Sequence, residues 1–228
     1  MLRRSHIIPE FLYQTLYDDK QRLQVLSIIP DQPNWREQKG LREQLLCDAC
    51  EQKFSVRERY ASLVLKGGLP VSYRREGNTV FVGGLDYRQF KLFQLSVLWR
   101  AGVSSLPFFE KVQLGKHAEI LRQLLLAGDP GDPERYGCFM FGLKYEAEAF
   151  TGLIMQPGKV RLNGHVAYRF VFGGFLWAML VSNHALGTPL NQCTLSVSGE
   201  TVLFIRSATE MQNLFSFYVE LGRMGRAP

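Results

Sequence analysis

Apolar side chains crowd the segment from Asp86 to about Ala101: Phe90, Leu92, Phe93, Leu95, Val97, Leu98 and Trp99. A helix that is apolar around most of its circumference has no broad face to give to water. It must run through the middle of the fold with other elements packed around it. Each leucine or aromatic withdrawn from water there is worth roughly 1.5–3 kcal/mol. Asp86 has the short acceptor side chain that caps a helix N-terminus. The remainder of the chain is read as what covers this helix.

Two further helices are predicted. One runs from about Cys50 to Lys66 and stops at Gly67-Gly68, with Phe54, Ala61 and Leu65 on one side. The other runs from about Lys116 to Ala127, with Ile120, Leu121, Leu124 and Leu125 facing the core. Pro9 to Tyr17 reads as a short helix started by proline. A last helix is expected from about Ala208 to Arg223. Residues 2–8 and Gln21–Ile29 read as strands, and Pro30–Gly40 as a polar loop. Val71–Arg75 and Thr79–Val82 flank a glycine-bearing turn and form a hairpin. After the turn-rich run Gly128–Pro133 the texture becomes β-rich, with strands at 136–145, 151–155, 158–163, 166–172, 175–182, 192–197 and 201–206. Asn163-Gly164 and Ser198-Gly199-Glu200 mark hairpin turns. The fold class is α+β. The expected organisation is a small N-terminal module over 1–70 followed by a helix-plus-antiparallel-sheet body over 71–228.

Composition sets outer bounds. The 228 residues are 46% hydrophobic and 21% charged, ordinary values for a globular chain. The longest apolar candidate for a membrane span, Tyr168–Val181, is cut by Gly173-Gly174, and arginines precede any apolar leader. A cytoplasmic protein without a membrane partner is expected. A net charge of +6 is compatible with a phosphate-bearing partner, but no basic run resembles a nucleic-acid-binding arm. The glycine pairs do not form a phosphate loop.

Chemistry concentrates in two short segments. Ser5-His6-Ile7-Ile8-Pro9 ends an apolar strand on a histidine, and Leu45-Leu46-Cys47-Asp48-Ala49-Cys50-Glu51 places a two-cysteine knuckle at a helix start. Cys47 and Cys50 have ligand-like spacing, whereas Cys138 and Cys193 sit in apolar stretches and read as small core residues. A structural zinc wants four soft or borderline ligands. Cys47, Cys50 and His6 supply three, and the fourth would be another histidine, a carboxylate or water. Plainer readings stand beside these. His6 also reads as a strand histidine bonded to a carbonyl, and the cysteines as reduced core thiols near a helix start, whereas the acidic neighbours Asp48 and Glu51 and the lack of a thioredoxin-like strand order argue against a redox pair. Glu51 and Glu58 are equally helix-surface carboxylates, and Arg57 and Arg59 a solvated face. His117 is expected to be exposed. His165 and His184 are expected at strand ends, with His165 able to complete a site with His6.

Taken together, Ser5–Pro9 and Arg42-Glu43-Gln44-Leu45-Leu46-Cys47-Asp48-Ala49-Cys50-Glu51 resemble the ββα-metal module of the HNH endonucleases over roughly the first 65 residues. The resemblance implies metal-assisted phosphodiester hydrolysis, with His6 as the general base and Glu51 as a catalytic carboxylate in the helix position of a metal ligand. It also makes Cys47 and Cys50 knuckle positions. Zn²⁺, or Mg²⁺ or Mn²⁺ on the carboxylate, are the implied cofactors. Nucleic acid is the implied partner, and a phage-defence setting is associated with such nucleases. Ser5 stands where the family carries an acidic or imidazole ligand, and Arg42 where it carries an orienting asparagine. The alternative is a non-catalytic zinc-knuckle interaction or regulatory subunit that binds a protein partner.

Overall fold

The all-round apolar helix does lie at the centre. In the computed structural model, which describes residues 1–25, 34–182, 184–187 and 190–208, Tyr87–Val103 is helical. Asp86 caps it by accepting from the backbone N–H of Gln89 at 2.9 Å. Phe90, Leu92, Phe93, Leu95, Val97, Leu98 and Ala101 are all buried.

The strands in chain order are β1 (Leu2–His6), β2 (Arg22–Val25), β3 (Trp35–Gln38), β4 (Arg42–Cys47), β5 (Ser72–Glu76), β6 (Thr79–Gly83), β7 (Cys138–Tyr145), β8 (Glu148–Ala149), β9 (Met155–Leu162), β10 (His165–Phe172), β11 (Phe175–Leu180) and β12 (Thr201–Ser207). The helices are α1 (Asp48–Leu65), α2 (Tyr87–Val103) and α3 (His117–Ala127). This is an α+β fold. β1 pairs with β4, β2 with β3, and the remaining strands form one sheet in the order β5-β6-β12-β7-β11-β10-β9, with β8 added on β7. The sheet is antiparallel, as expected for the body, except where β12 runs parallel to β7. No described helix is long and apolar enough to cross a membrane.

α2 packs on the sheet through aromatic contacts. The rings of Phe90 and Phe93 lie 6.2 and 6.1 Å from that of Trp177 on β11. The opposite face of the same strands carries a second cluster that includes Phe139, Ala167, Val171 and Leu176. β10 and β11 are therefore covered on both faces, which is why they read as continuous apolar runs without alternation. The main core also takes in Ile7, Ile8, Leu12 and Tyr13, so the N-terminal segment and the sheet body share one interior.

Lys91, also on α2, is one of the charges buried in this interior. Its Nζ donates to the carbonyls of Arg135 and Tyr136 at 2.9 and 2.8 Å, and burial pushes its pKa down to about 8.

Four local readings need correction. Pro9–Tyr17 is not an α-helix but two 3₁₀ turns, Glu10–Leu12 and Gln14–Leu16, closed by i→i+3 bonds such as Tyr13 N–H to Glu10 O at 3.0 Å. A segment this short gains too few bonds to propagate an α-helix. The expected 30–40 loop contains β3, an exposed strand with no apolar alternation to betray it. Of the expected strands 151–155 and 158–163, the first is not a strand before Met155, and the rest belongs to one strand, β9, running through Pro157. The strand lies at the sheet edge and β10 shifts register opposite the proline, so the missing N–H costs no ladder bond. Segment 192–197 is not a strand. Leu190–Cys193 is a 3₁₀ turn, and Thr194 Oγ1 donates to Asn191 O at 2.9 Å. Residues 26–29 of the expected second strand, and all but the first residue of the expected C-terminal helix, lie outside the described residues.

Candidate functional site

β1 and β4 pair antiparallel with Ser5 opposite Glu43 and His6 opposite Arg42. A register shift falls between Arg3 and Arg4. β4 ends at Cys47, whose extended backbone (φ −77°, ψ 164°) caps α1 directly. The two strands thus feed a helix that folds back on them, and Arg3 on β1 pairs with Asp48 in the helix first turn at 3.0 Å.

Strand alternation separates Ser5 from His6. Ser5 is 2% exposed. Its hydroxyl donates to the Glu51 carboxylate and accepts from Leu46 N–H at 3.1 Å. The residue before the histidine and the first-turn helix carboxylate therefore touch.

His6 faces a different set. Its Nε2 lies 2.8 Å from Lys39 O and also meets the Glu10 carboxylate. Both partners are acceptors, so the network assigns the proton to Nε2 and leaves Nδ1 as the lone-pair nitrogen. Tyr17 OH donates to the other oxygen of Glu10 at 2.9 Å, fixing that carboxylate in turn. Burial lowers the His6 pKa, outweighing the Lys39 carbonyl and Glu10, which act in the opposite direction. Burial thus favours the neutral ring, in which Nδ1 is the nitrogen without the proton. Its backbone is anchored as well: Arg100, 2% exposed, donates from Nη1 to His6 O at 2.7 Å and pairs with Glu58 at 2.7 Å.

The knuckle points elsewhere. Cys47 is exposed and Cys50 half-buried, both as free thiols. Cys50 lines a small apolar cavity with Leu46, Phe54, Trp99, Leu125 and Leu126. The N–H of Cys50, then its thiol, lower the pKa of Cys47, while burial raises that of Cys50.

The expected ligand set of His6, Cys47, Cys50 and Glu51 is therefore split. His6 goes to Glu10, Glu51 to Ser5, and the cysteines to each other. The reason is geometric: the β1–β4 register sets Cys47 opposite Leu2, at the far end of the ladder from His6 opposite Arg42, and Ser5 and His6, as strand neighbours, face opposite ways. Among the described residues no group of three or more His, Cys, Asp or Glu stands where it could hold a metal ion. A tetrahedral zinc centre does not fit. Ser5 and Glu51 are hard oxygen donors, the chemistry that Mg²⁺ or Mn²⁺ prefers when water and substrate phosphate complete the shell.

Tyr17, Lys39, Glu10 and Arg100 complete the surroundings of His6, and the motif spacing points to none of them. Glu10 carried a detectable signal, since a carboxylate four residues after a histidine can return to it across a tight turn. Lys39 contributes a carbonyl, which no side-chain pattern shows. Glu43 is engaged by Ser104 Oγ at 2.7 Å and by Ser105 N–H, so it is a loop anchor. The other histidines sit apart from His6 in their bonding. His117 is half-buried and not exposed as expected, with Nδ1 3.0 Å from Tyr136 OH. His165 begins β10 and bonds Ser182 Oγ at 3.0 Å. His184 is exposed, and its N–H donates to that same oxygen at 3.2 Å. Cys138 is buried as expected and Cys193 only partly so.

No family model, curated protein or solved structure matches the chain.

Proposed function

We propose that the β1–β4–α1 unit is an HNH-like module that acts on nucleic acid by hydrolysing phosphodiester bonds. The carrying observation is that two strands and the following helix bring Ser5 onto Glu51, while burial lowers the His6 pKa and Lys39 O and Glu10 orient its Nε2. In this reading His6 Nδ1 accepts the proton of the attacking water. Lys39 O holds the ring tautomer by accepting from Nε2, the Glu10 carboxylate lies against the same nitrogen, Tyr17 holds Glu10, and Arg100 fixes the backbone beneath His6. Glu51 and Ser5 would hold Mg²⁺ or Mn²⁺, which stabilises charge on the scissile phosphate when bound.

The test is incubation of the full chain with duplex and single-stranded DNA and with RNA, in Mg²⁺, Mn²⁺ or EDTA. Divalent-dependent cleavage that is lost in Glu51→Gln supports the reading. Cleavage that survives Glu51→Gln unchanged opposes it.

A second reading is favoured by the burial of Ser5. Its hydroxyl already saturates one oxygen of Glu51 and the Leu46 N–H, closing the oxygen pair as a structural contact. The unit would then be a non-catalytic interaction module. Nucleic-acid or protein binding without cleavage under any divalent ion would support that alternative.

A further inference from the structure

α3 ends at Gly128, which adopts the left-handed conformation (φ +66°) usual for a helix C-cap. Its last carbonyls receive cations from two other helices. Lys53 Nζ on α1 donates to Leu126 O at 3.4 Å and Arg57 Nη2 to Leu125 O at 3.3 Å. Arg88 Nε on α2 donates to Gly128 O at 2.8 Å. The two guanidinium groups crowd one point: a Cβ at Gly128 would stand 3.0 Å from Arg88 Nη2 and 3.4 Å from Arg57 Nη2.

Capping accounts for only part of this charge. A helix C-terminus presents about half a negative charge, against three full positive ones. Among the described residues no carboxylate lies within ion-pair distance of Lys53, Arg57 or Arg88. The acids beside these residues in sequence are engaged elsewhere: Glu51 by Ser5, Glu58 by Arg100 at 2.7 Å, and Asp86 Oδ1 and Asp129 Oδ1 by the N–H groups of Gln89 and Gly131, both at 2.9 Å. Arg57 is 7% exposed, and its Nη1 is buried with no hydrogen-bond partner among the described residues. An unpartnered buried guanidinium nitrogen beside a second guanidinium is expensive unless an anion joins them. Desolvation, then Arg88, lower the Arg57 pKa, as expected for charge without compensation.

We infer that Lys53, Arg57 and Arg88 form an oxyanion site of phosphate class at the α3 C-terminus, separate from the His6 site. Arg57 is the buried base of the site. Lys53 and Arg88 are exposed and form its mouth. Guanidinium pairs suit tetrahedral oxyanions because each offers parallel N–H donors. The phosphate is either free or part of a nucleic-acid backbone.

The experiment is calorimetric titration of the full chain with sodium phosphate, against sodium chloride at matched ionic strength. Saturable phosphate binding is expected. Arg88→Gln and Lys53→Gln, both surface changes, should each weaken it about tenfold, the worth of a charge-assisted bond. Their melting in chloride should match wild type, which separates loss of the site from loss of the fold. Absence of saturable binding, or binding unchanged in both variants, overturns the inference. Displacement of bound phosphate by a short DNA single strand assigns the site to a polymer backbone, and retention assigns it to the free anion. His6→Ala should leave phosphate binding intact, so failure here and failure of the hydrolytic reading are separately visible.

Discussion

Arg100 and His6, 94 positions apart, are joined by a 2.7 Å hydrogen bond from a buried guanidinium to a backbone carbonyl. The same guanidinium pairs with Glu58. One side chain on the central helix thus ties the end of β1 to the middle of α1. Arg100→Met leaves Glu58 unpaired and His6 O without its donor. The expected loss is about 3–5 kcal/mol, as for removing one member of a buried ion pair. Urea denaturation measures it, and a loss below about 1 kcal/mol would show that the tie is replaceable by water.

The Ser5–Glu51 contact invites a gain-of-ligand test. Ser5→Asp places two carboxylates together, which repel in EDTA and share a cation when one is supplied. Thermal melting should show Ser5→Asp less stable than wild type in EDTA, with a larger stabilisation by Mn²⁺. Equal responses to Mn²⁺ would mean that position 5 does not face a cation-accessible space.

The His6 pKa is held below its usual 6.5 by burial, and that of His117 is also lowered, by burial and then by Lys116. Such groups bind protons more readily in the unfolded chain. The stability they contribute is whole above pH 6.5 and is lost as pH falls through the lower folded values. Denaturation midpoints should therefore drop on acidification below 6.5, and His6→Gln should shallow that slope. An unchanged slope would show that His6 carries no part of it.

Gly199 supports the turn that introduces β12. It has φ +78°, and an added Cβ would lie 2.0 Å from Leu85 O, which is backbone and cannot yield. Gly199→Ala should cost about 1–3 kcal/mol by denaturant titration.

Much of this architecture is legible in the sequence. The Asp86 cap and the all-round apolar helix place α2 at the centre, and Gly67 and Gly128 end α1 and α3 where glycine is needed. What escapes is set by contacts distant in sequence. β3 is visible only through pairing with β2, and Pro157 sits in a strand because that strand is an edge. In the site, the separation of His6 from Cys47 and Cys50 follows from the β1–β4 register, which sets Cys47 opposite Leu2 and not opposite His6, and which spacing along the chain does not convey. Glu10 and the Lys39 carbonyl reach His6 through two turns whose geometry depends on Tyr13 being buried beneath Gly40.

The hydrolytic account rests on His6 as the proton acceptor. Its most direct test is the rate of divalent-dependent nucleic-acid cleavage by wild-type protein and by His6→Ala, each shown to be folded by circular dichroism. The account predicts at least about a hundredfold loss in the variant, the scale of a missing general base. Equal rates in the two proteins would contradict it.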